Sequence, residues 1–304
     1  MYKIELGQST LAVPTVAVGC MRIGNMNEYE VCEFADTALS LGANFFDHAD
    51  IYGGGKCEEV FAQVLKHHNR EDLIIQTKCG IVPGKMYDFS YEHIVNSVHG
   101  SLKRLGTDYI DVLLLHRPDA LFEPEEVAKA FDYLKSSGKV RHFGVSNQNP
   151  YQMELMKKHL DMPLVANQLQ FGIMHSSMIT SGINVNMQND SSANRDGGVL
   201  DYCRLHNITI QPWSPLQYGF FEGCFIGSEK FPHLNETLES IANKYSTTKT
   251  SVAFAWILRH PAKMQPVTGT SNKERLVQCL KGSDITLTRE EWYEIFIAAG
   301  HSLP

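Results

Sequence analysis

The sequence predicts an α/β protein that folds as a single (β/α)8 TIM barrel, with residues 1–304 as one domain. Short apolar runs alternate with amphipathic segments, the apolar runs number eight, and none of the connections has the composition of a domain linker. Alternation of this kind is typical of parallel strands joined by helical crossovers. A chain of 304 residues fits either one barrel or two domains. The alternation therefore decides in favour of one barrel.

The strand predictions rest on short apolar runs bounded by polar or turn-forming residues. Residues 109–115, for example, read Tyr-Ile-Asp-Val-Leu-Leu-Leu between a Gly-Thr-Asp turn and a histidine. Runs of this length suit buried strands of a parallel sheet. The predicted strands are 15–19, 43–46, 73–77, 109–115, 141–145, 164–169, 208–213 and 265–268.

The helix predictions rest on capping residues and on apolar faces. Asn27 stands three residues before Glu30, and Thr288 stands three before Glu291, which is the spacing of a capping box. Glycine is expected just past several helix ends, as at Gly42. The predicted helices run from Asn27 to Gly42, over 91–105, from Pro124 to Gly138, from Asn149–Pro150 onwards, and over 235–245, 248–259, 273–281 and 289–299.

Two connections are longer than the rest. Residues 175–198 are rich in Ser and Asn, and we expect a polar, mobile insertion there. Residues 214–233 are rich in Gly and Phe and directly follow a predicted strand. We therefore expect the second connection to be functional. Both are predicted to be long loops at the carboxyl ends of the strands.

Composition excludes several classes of function. The net charge is −7 and no basic stripe occurs, so we expect no nucleic-acid partner. The first ten residues have no apolar stretch typical of a signal peptide, and the apolar run 112–115 is far too short to cross a membrane. The seven cysteines are an odd number without a C-x-x-C motif. Free thiols fit a reducing compartment, so we expect a cytoplasmic protein without membrane contact.

Chemistry-bearing residues follow seven of the predicted strands. In a barrel the carboxyl ends of the strands meet on one face, where active sites form. These side chains are therefore expected to converge. The residues at the strand ends are Asp47, His48, Asp50, Tyr52, Lys78, His116, Arg117, Ser146, Asn147, Asn167, Gln168, Gln170, Trp213, Ser214, Gly269, Thr270 and Ser271.

One subset of these residues forms a predicted proton-transfer group: Asp47, Tyr52, Lys78 and His116. A phenol has an ordinary pKa of about 10, and a nearby ammonium makes it a better proton donor. A carboxylate would hold that ammonium, and a histidine would position a carbonyl oxygen beside the phenol. Taken singly, Tyr52 and His116 are more typical of packing residues. Their joint placement favours catalysis.

A metal site would compete for the same residues. Asp47, His48, Asp50 and His116 are all metal-ligand types. The strand lacks the paired histidines of a hydrolytic barrel, so we predict no metal site.

Phosphate binding has one candidate turn. The chain has no G-x-G-x-x-G, which excludes a Rossmann phosphate loop, and the run Gly53–Gly55 predicts only a flexible turn. The turn 269–271 before a predicted helix, with Arg275 in its first turns, suits a phosphate. An ordinary capped helix explains that turn equally well.

Several long motifs in order resemble the aldo-keto reductases, and within them a bacterial subgroup of oxidoreductases with DHADIYG and HRPD motifs. The resemblance covers roughly residues 10–300. It rests on FFDHADIYG (45–53), SLKRLGTDYIDVLLLHRPD (101–119), GKVRHFGVSN (138–147), NQLQ (167–170), WSPL (213–216) and GTSNKERL (269–276).

The resemblance implies a (β/α)8 barrel that reduces an aldehyde or ketone, with hydride from NADP(H) or, as the alternative, NAD(H). It implies that Tyr52 is the general acid. Lys78, together with Asp47, would adjust the acidity of the Tyr52 hydroxyl. His116 would orient the substrate carbonyl. No protein partner follows from the resemblance. The expected partner is a small carbonyl substrate.

The resemblance also implies a set of cofactor-binding residues. Ser146, Asn147 and Gln168 match positions that bind the nicotinamide carboxamide, and Trp213 matches an aromatic residue stacked on the nicotinamide ring. The remaining matches are Gly19, Met21 and Arg22 near the nicotinamide and substrate, Ser214 and Leu216 along the pyrophosphate, and Gly269, Thr270, Ser271 and Arg275 at the adenosine end.

Some positions depart from the pattern of the family. His48 stands where Thr or Ser is usual, and Gly269 where many members have Lys. Cys224 stands where a basic residue is usual and Cys279 where Asn is usual. These departures leave the choice between NADP and NAD open, although Arg275 favours NADP. A cofactor-binding redox sensor or partner subunit with little turnover is the alternative function, and the intact tetrad argues against it.

Overall fold

Seven parallel strands curl around a common axis in the computed structural model of this protein, which describes residues 1–303. Their order is β11-β10-β9-β8-β5-β4-β3. Two antiparallel hairpins, β1–β2 and β6–β7, lie outside this sheet. The strands are β1 (Lys3–Glu5), β2 (Ala12–Pro14), β3 (Val18–Gly19), β4 (Phe45–Asp47), β5 (Ile74–Cys79), β6 (Ile81–Val82), β7 (Met86–Tyr87), β8 (Ile110–Leu115), β9 (Val140–Ser146), β10 (Leu164–Gln170) and β11 (Thr209–Trp213).

Residues 265–268 fill the eighth position between β11 and β3. The amide of Val267 donates to the carbonyl of Pro212 on β11 at 2.9 Å. The amide of Thr268 donates to the carbonyl of Ala17, next to β3, also at 2.9 Å. The segment therefore joins the two edges of the sheet and closes the barrel. The predicted (β/α)8 fold class is confirmed, and the predicted strand 265–268 makes this closure with few hydrogen bonds.

Helices cover the outside of the barrel, and all eight predicted helices are present. The predicted capping boxes are present at Asn27 and Thr288. Gly106 ends its helix in the left-handed region with φ of 66°. The helices are α1 (Glu28–Ser40), α2 (Lys56–His67), α3 (Tyr91–Leu105), α4 (Pro124–Ser136), α5 (Pro150–Lys157), α6 (Ser177–Ile183), α7 (Val199–Leu205), α8 (Pro232–Lys244), α9 (Lys249–Leu258), α10 (Lys273–Lys281) and α11 (Arg289–Ala298).

Helix α2 is absent from the sequence-based predictions, although the helical signal is present. Cys57, Val60, Phe61 and Val64 are buried at helical spacing. The preceding Gly53–Gly55 run, predicted to be only a flexible turn, has positive φ at all three glycines, with 95° at Gly55. The run therefore turns the chain directly into the helix.

Both long connections are described by the structure. Residues 175–198 contain α6 and a 3-10 turn at Asp190–Ser192, and their mobility stays a prediction. Residues 214–231 run through turns and a single bridge between Gln217 and Cys224. Helix α8 then begins at Pro232, three residues before the predicted start, because proline is favoured in the first turn of a helix.

The interior of the barrel is apolar at one end and polar at the other. Side chains that alternate along a strand point to the same face, so Ile74, Gln76 and Lys78 all point inward. At the amino ends of the strands the interior is apolar, and Leu6 and Val13 of the β1–β2 hairpin pack into it. Towards the carboxyl ends the interior becomes polar. None of the helices among residues 1–303 has the length and apolarity needed to cross a membrane.

Candidate active site

Asp47, Tyr52, Lys78 and His116 converge at the carboxyl ends of three neighbouring strands. Asp47 is the last residue of β4, Lys78 lies in β5, and His116 directly follows β8. Tyr52 begins the 3-10 turn that leads into α2. The predicted group of four therefore forms one cluster in the structure.

The Lys78 ammonium is the centre of this cluster and is completely buried. Its Nζ donates to Asp47 Oδ2 at 2.9 Å and to the carbonyl of His48 at 2.7 Å. It also lies 3.1 Å from Tyr52 Oη. A buried ammonium needs charged and polar partners of this kind, because leaving water costs several kcal/mol.

The pKa values in the cluster are set by burial and by these contacts. Burial alone would lower the pKa of Lys78, but Asp47 and Tyr52 outweigh it and raise that pKa. Burial raises the pKa of the Tyr52 phenol, and the Lys78 ammonium opposes this rise. Tyr52 therefore keeps its proton at neutral pH, while the adjacent ammonium can stabilise negative charge when the proton leaves.

The second oxygen of the Asp47 carboxylate faces a set of buried glutamines. Gln76 Nε2 donates to Asp47 Oδ1 at 2.6 Å, and Gln168 Nε2 donates to the same oxygen at 3.1 Å. Gln76 and Gln211 exchange two amide hydrogen bonds of 2.9 and 3.1 Å. Gln211 donates to Gln265, which donates to the carbonyl of Pro14. This chain of glutamines, here called the glutamine ladder, crosses the barrel interior. It fixes the orientation of the Asp47 carboxylate.

His116 stands beside Tyr52 at the edge of a cavity. The two rings meet edge to face, with centroids 5.9 Å apart. Burial, followed by the charges of Lys78 and Arg117, lowers the pKa of His116 well below its ordinary value. Its imidazole is therefore neutral at pH 7 and carries one N–H that can donate to a carbonyl oxygen.

Ser146, Asn147, Gln168 and Trp213 adjoin the cluster. The backbone of Asn147 is in the left-handed region with φ of 59°, which asparagine tolerates better than most residues. Its Nδ2 donates to Ser146 Oγ at 2.7 Å, and its Oδ1 accepts from the Trp213 indole at 3.2 Å. The Ser146 hydroxyl donates to the carbonyl of Gln168. These bonds hold Trp213 in one orientation.

A cavity of about 410 Å³, here called the central cavity, lies over the cluster. It brings together predicted residues from seven of the eight strand ends. Lys78, from the remaining strand, is not part of its lining. The predicted residues that line it are Gly19, Met21, Arg22, Asp47, Tyr52, His116, Arg117, Ser146, Asn147, Gln168, Trp213, Ser214 and Gly269.

A second cavity of about 700 Å³, here called the basic cavity, continues from the first. The two share Arg22, Ser214 and Gly269. Among the described residues that line it, two are arginines and none is Asp or Glu. The predicted residues found there are Arg22, Ser214, Leu216, Gly269, Thr270, Ser271 and Arg275.

The basic cavity fits the anionic part of a dinucleotide. Arg22 donates to the carbonyl of Gly269 and is held at the junction of the two cavities. Arg275 lies on α10 at the far side. The side chain of Asn272 caps α10 by accepting from the Arg275 amide at 2.8 Å. Because this amide is already bonded, the charge for binding a phosphate would come from the two arginine side chains. The sequence predicts that the turn at 269–271 either binds a phosphate or simply precedes a capped helix. The two alternatives are compatible, because the capped helix also carries the Arg275 guanidinium.

Some buried groups behind the cluster are not predictable as site residues from local sequence. Glu58 is completely buried and accepts from Arg104 Nε at 2.7 Å and from the Thr77 hydroxyl at 2.6 Å. Gln76 lies within a run that predicts only an apolar strand. Its position two residues before Lys78 is the signal that places it on the inner face.

His48 and Asp50 do not point to a metal. Both ring nitrogens of His48 are buried without a hydrogen-bond partner. The ring packs edge to face against Phe61, with ring centroids 4.6 Å apart. Within residues 1–303, no three His, Cys, Asp or Glu side chains form a group that could hold a metal ion. Asp47 instead pairs with the Lys78 ammonium.

Comparison with known proteins gives consistent matches over the whole chain. The family model for the aldo/keto reductase family matches residues 15–298. The oxidoreductase YcsN of Bacillus subtilis is 34% identical, with 100% of both chains covered. A 6-dehydroglucose reductase of Agrobacterium fabrum is also 34% identical, with 98% of each chain covered.

A solved structure matches the fold over nearly the same extent. The crystal structure of the thermostable aldo-keto reductase Tm1743 in complex with the inhibitor epalrestat superimposes with a TM-score of 0.79. It is 28% identical and covers 98% of this chain, and this chain covers 100% of it.

Proposed function

Because the chain belongs to the aldo/keto reductase family and is therefore an oxidoreductase that reduces carbonyl groups, we propose that Tyr52 is its proton donor. The carrying observation is the contact of 3.1 Å between Tyr52 Oη and the buried Lys78 ammonium. Family membership does not favour a redox sensor with little turnover. The four clustered side chains also argue against one, since a binding module has no need of them.

Each residue of the cluster has a distinct task in this proposal. His116, which is neutral, donates a hydrogen bond to the carbonyl oxygen and places it beside Tyr52. Tyr52 gives its proton to that oxygen, and the negative charge left on the phenol is stabilised by Lys78. Asp47 holds Lys78 in place. A bound nicotinamide nucleotide supplies the hydride that the carbonyl carbon receives.

The two adjoining cavities support a site for this nucleotide. Ser146, Asn147 and Gln168 offer polar groups for a carboxamide, and Trp213 offers a ring for stacking. The part of the site between the nicotinamide and the adenosine end would be lined by Gly19, Met21, Ser214 and Leu216. Gly269, Thr270, Ser271 and Arg275 would hold the adenosine end. We propose NADP(H) as the preferred cofactor, because Arg275 can pair with a 2′-phosphate, whereas NAD(H) lacks that group.

The Tyr52→Phe variant tests the proton donor. It keeps the ring and loses the hydroxyl, so carbonyl reduction is expected to fall by about 100-fold or more. Nucleotide affinity, measured by quenching of Trp213 fluorescence, is expected to stay within about threefold of wild type. A Tyr52→Phe enzyme that reduces aldehydes at the wild-type rate would exclude this role for Tyr52.

Separate titrations with NADPH and NADH test the cofactor. Wild type is expected to bind NADPH more tightly, and Arg275→Gln is expected to weaken NADPH binding by about tenfold while leaving NADH unchanged. Equal affinities for the two nucleotides would contradict the preference. The Trp213→Phe variant shows which part of the fluorescence signal comes from the site.

A further inference from the structure

A third cavity of about 460 Å³, here called the side cavity, adjoins the central cavity. Arg117, Asn147 and Trp213 line both. Its other walls include His175 and Arg195 of the long 175–198 connection. A group attached to a carbonyl substrate in the central cavity can therefore extend into the side cavity.

Arg117 stands at the border between the two cavities. It directly follows His116, and its guanidinium carbon lies 5.5 Å from the centroid of the Trp213 ring. It is half-buried. In the part of the chain that the structure describes, Arg117 is not among the arginines that form ion pairs, which are Arg70, Arg104, Arg141 and Arg204. A half-buried guanidinium that forms no ion pair within the described chain can still pair with an anion.

The charges around the side cavity also favour an anion. Arg195, which is exposed, adds a second guanidinium. The one acidic residue in the described lining, Asp196, already accepts from the amides of Gly198 and Val199. Burial lowers the pKa of His175, so this residue is neutral at pH 7. The cavity therefore has positive charge without a matching free carboxylate.

We propose that Arg117 determines substrate specificity and that the preferred substrate is an aldehyde or ketone with an anionic group, either a carboxylate or a phosphate. The carbonyl would lie at Tyr52 and His116, and the anionic group would pair with Arg117 in the side cavity. This inference rests on the proposed function. It adds to it the chemical class of the substrate.

Matched pairs of substrates test the proposal. For a carboxylate, 4-formylbenzoate is compared with the uncharged 4-formylbenzamide. For a phosphate, glyceraldehyde 3-phosphate is compared with glyceraldehyde. At least one anionic member is expected to have a kcat/KM about 10- to 100-fold above its neutral partner, as a charged hydrogen bond gives. The pair with the larger ratio identifies which anion the site takes.

Substitutions then assign the preference to Arg117. Arg117→Gln is expected to lower the ratio of anionic to neutral kcat/KM by about tenfold, and Arg117→Lys to retain part of it. Arg195→Gln is expected to change the ratio by less than about threefold, because its side chain is exposed. Arg289→Gln removes the same charge from an exposed site outside all three cavities and serves as the matched control.

The outcomes separate this inference from the proposed function. If wild type reduces both members of each pair equally through Tyr52, or if Arg117→Gln keeps the full ratio, the inference is wrong and the proposed function stands. If no aldehyde is reduced with either nucleotide, the proposed function fails.

A binding titration, which needs no turnover, tests the anion site even if no aldehyde is reduced. Succinate, but not succinamide, is expected to change Trp213 fluorescence at constant ionic strength, and the change is expected to be lost in Arg117→Gln. Trp256 and Trp292 are buried against each other, with ring centroids 4.7 Å apart. They should therefore contribute little to the change in fluorescence caused by the added anion. An equal response to both compounds would overturn the inference.

Discussion

Gln76 donates a hydrogen bond of 2.6 Å to the oxygen of Asp47 that does not face Lys78. The carboxylate is thus held on one side by an amide and on the other by the ammonium that supports Tyr52. Orientation of Tyr52, the proposed proton donor, therefore depends on a residue that lines none of the three cavities. Gln76 is a positioning residue in this arrangement.

Gln76→Leu is expected to reduce kcat by about tenfold and to shift the pH profile of kcat, because Asp47 can then turn away from Lys78. The free energy of unfolding should fall by about 1–3 kcal/mol as buried amides lose partners. The matched control is Gln265→Leu at the far end of the glutamine ladder. It should lose similar stability in urea denaturation and keep the wild-type pH profile. A Gln76→Leu profile identical to wild type would show that the contact is only structural.

His48 makes stability depend on acid pH. Burial, followed by the charge of Lys78, lowers its pKa from 6.5 to about 3. Between these values the unfolded chain binds a proton that the folded chain does not, so stability falls as the pH falls. His48→Gln should make this dependence shallower by about 1.4 kcal/mol per pH unit between pH 4 and 6. Urea denaturation across that range measures it, and the exposed His233→Gln should keep the wild-type slope.

Asp50 is expected to make stability depend on pH in the direction opposite to His48. Burial, followed by the nearby Glu58, raises its pKa from 3.8 to about 7. The folded chain therefore holds a proton that the unfolded chain releases, and stability falls as the pH rises through this window. Asp50→Asn should gain stability over wild type at pH 8 and lose that gain at pH 4. Melting temperatures at the two pH values test this, and a constant difference would contradict it.

Glu58 and Arg104 form an ion pair that joins α2 to α3 behind the active site. Arg104→Met should cost about 3–5 kcal/mol of unfolding free energy, because it leaves a buried carboxylate without its cation. The double variant Glu58→Gln/Arg104→Met should recover a large part of that loss. Urea denaturation of the four proteins gives the coupling energy. Losses that simply add would mean that the two side chains do not depend on each other.

Much of the fold can be predicted from the sequence because the patterns are local. The strand at 109–115 and the capping boxes at Asn27 and Thr288 are determined by neighbouring residues. Helices α2, α6 and α7 are exceptions. For α2, the Gly53–Gly55 run has the composition of a turn and conceals the helix start directly after it. Side chains at strand ends can be placed on one face, since a barrel brings those ends together.

Other features of the site depend on distant contacts and cannot be predicted from local sequence. Gln76 and Gln211 meet across the barrel, and the resulting ladder needs the closed sheet. The net rise in the pKa of Tyr52 depends on how deeply the phenol is buried, which spacing alone does not give. Arg117 is recognisable at a strand end, but its lack of an ionic partner is a property of the folded chain.

Closure of the barrel by residues 265–268 has a consequence for biosynthesis. The bond from the Gly19 amide to the Thr268 hydroxyl joins residues 249 positions apart, so it forms only when nearly all of the chain has been made. Until then β3 and β11 are open edges that can pair with other chains. Nascent chains that stall before residue 265 should therefore aggregate readily and depend on chaperones, whereas the completed chain buries both edges within itself.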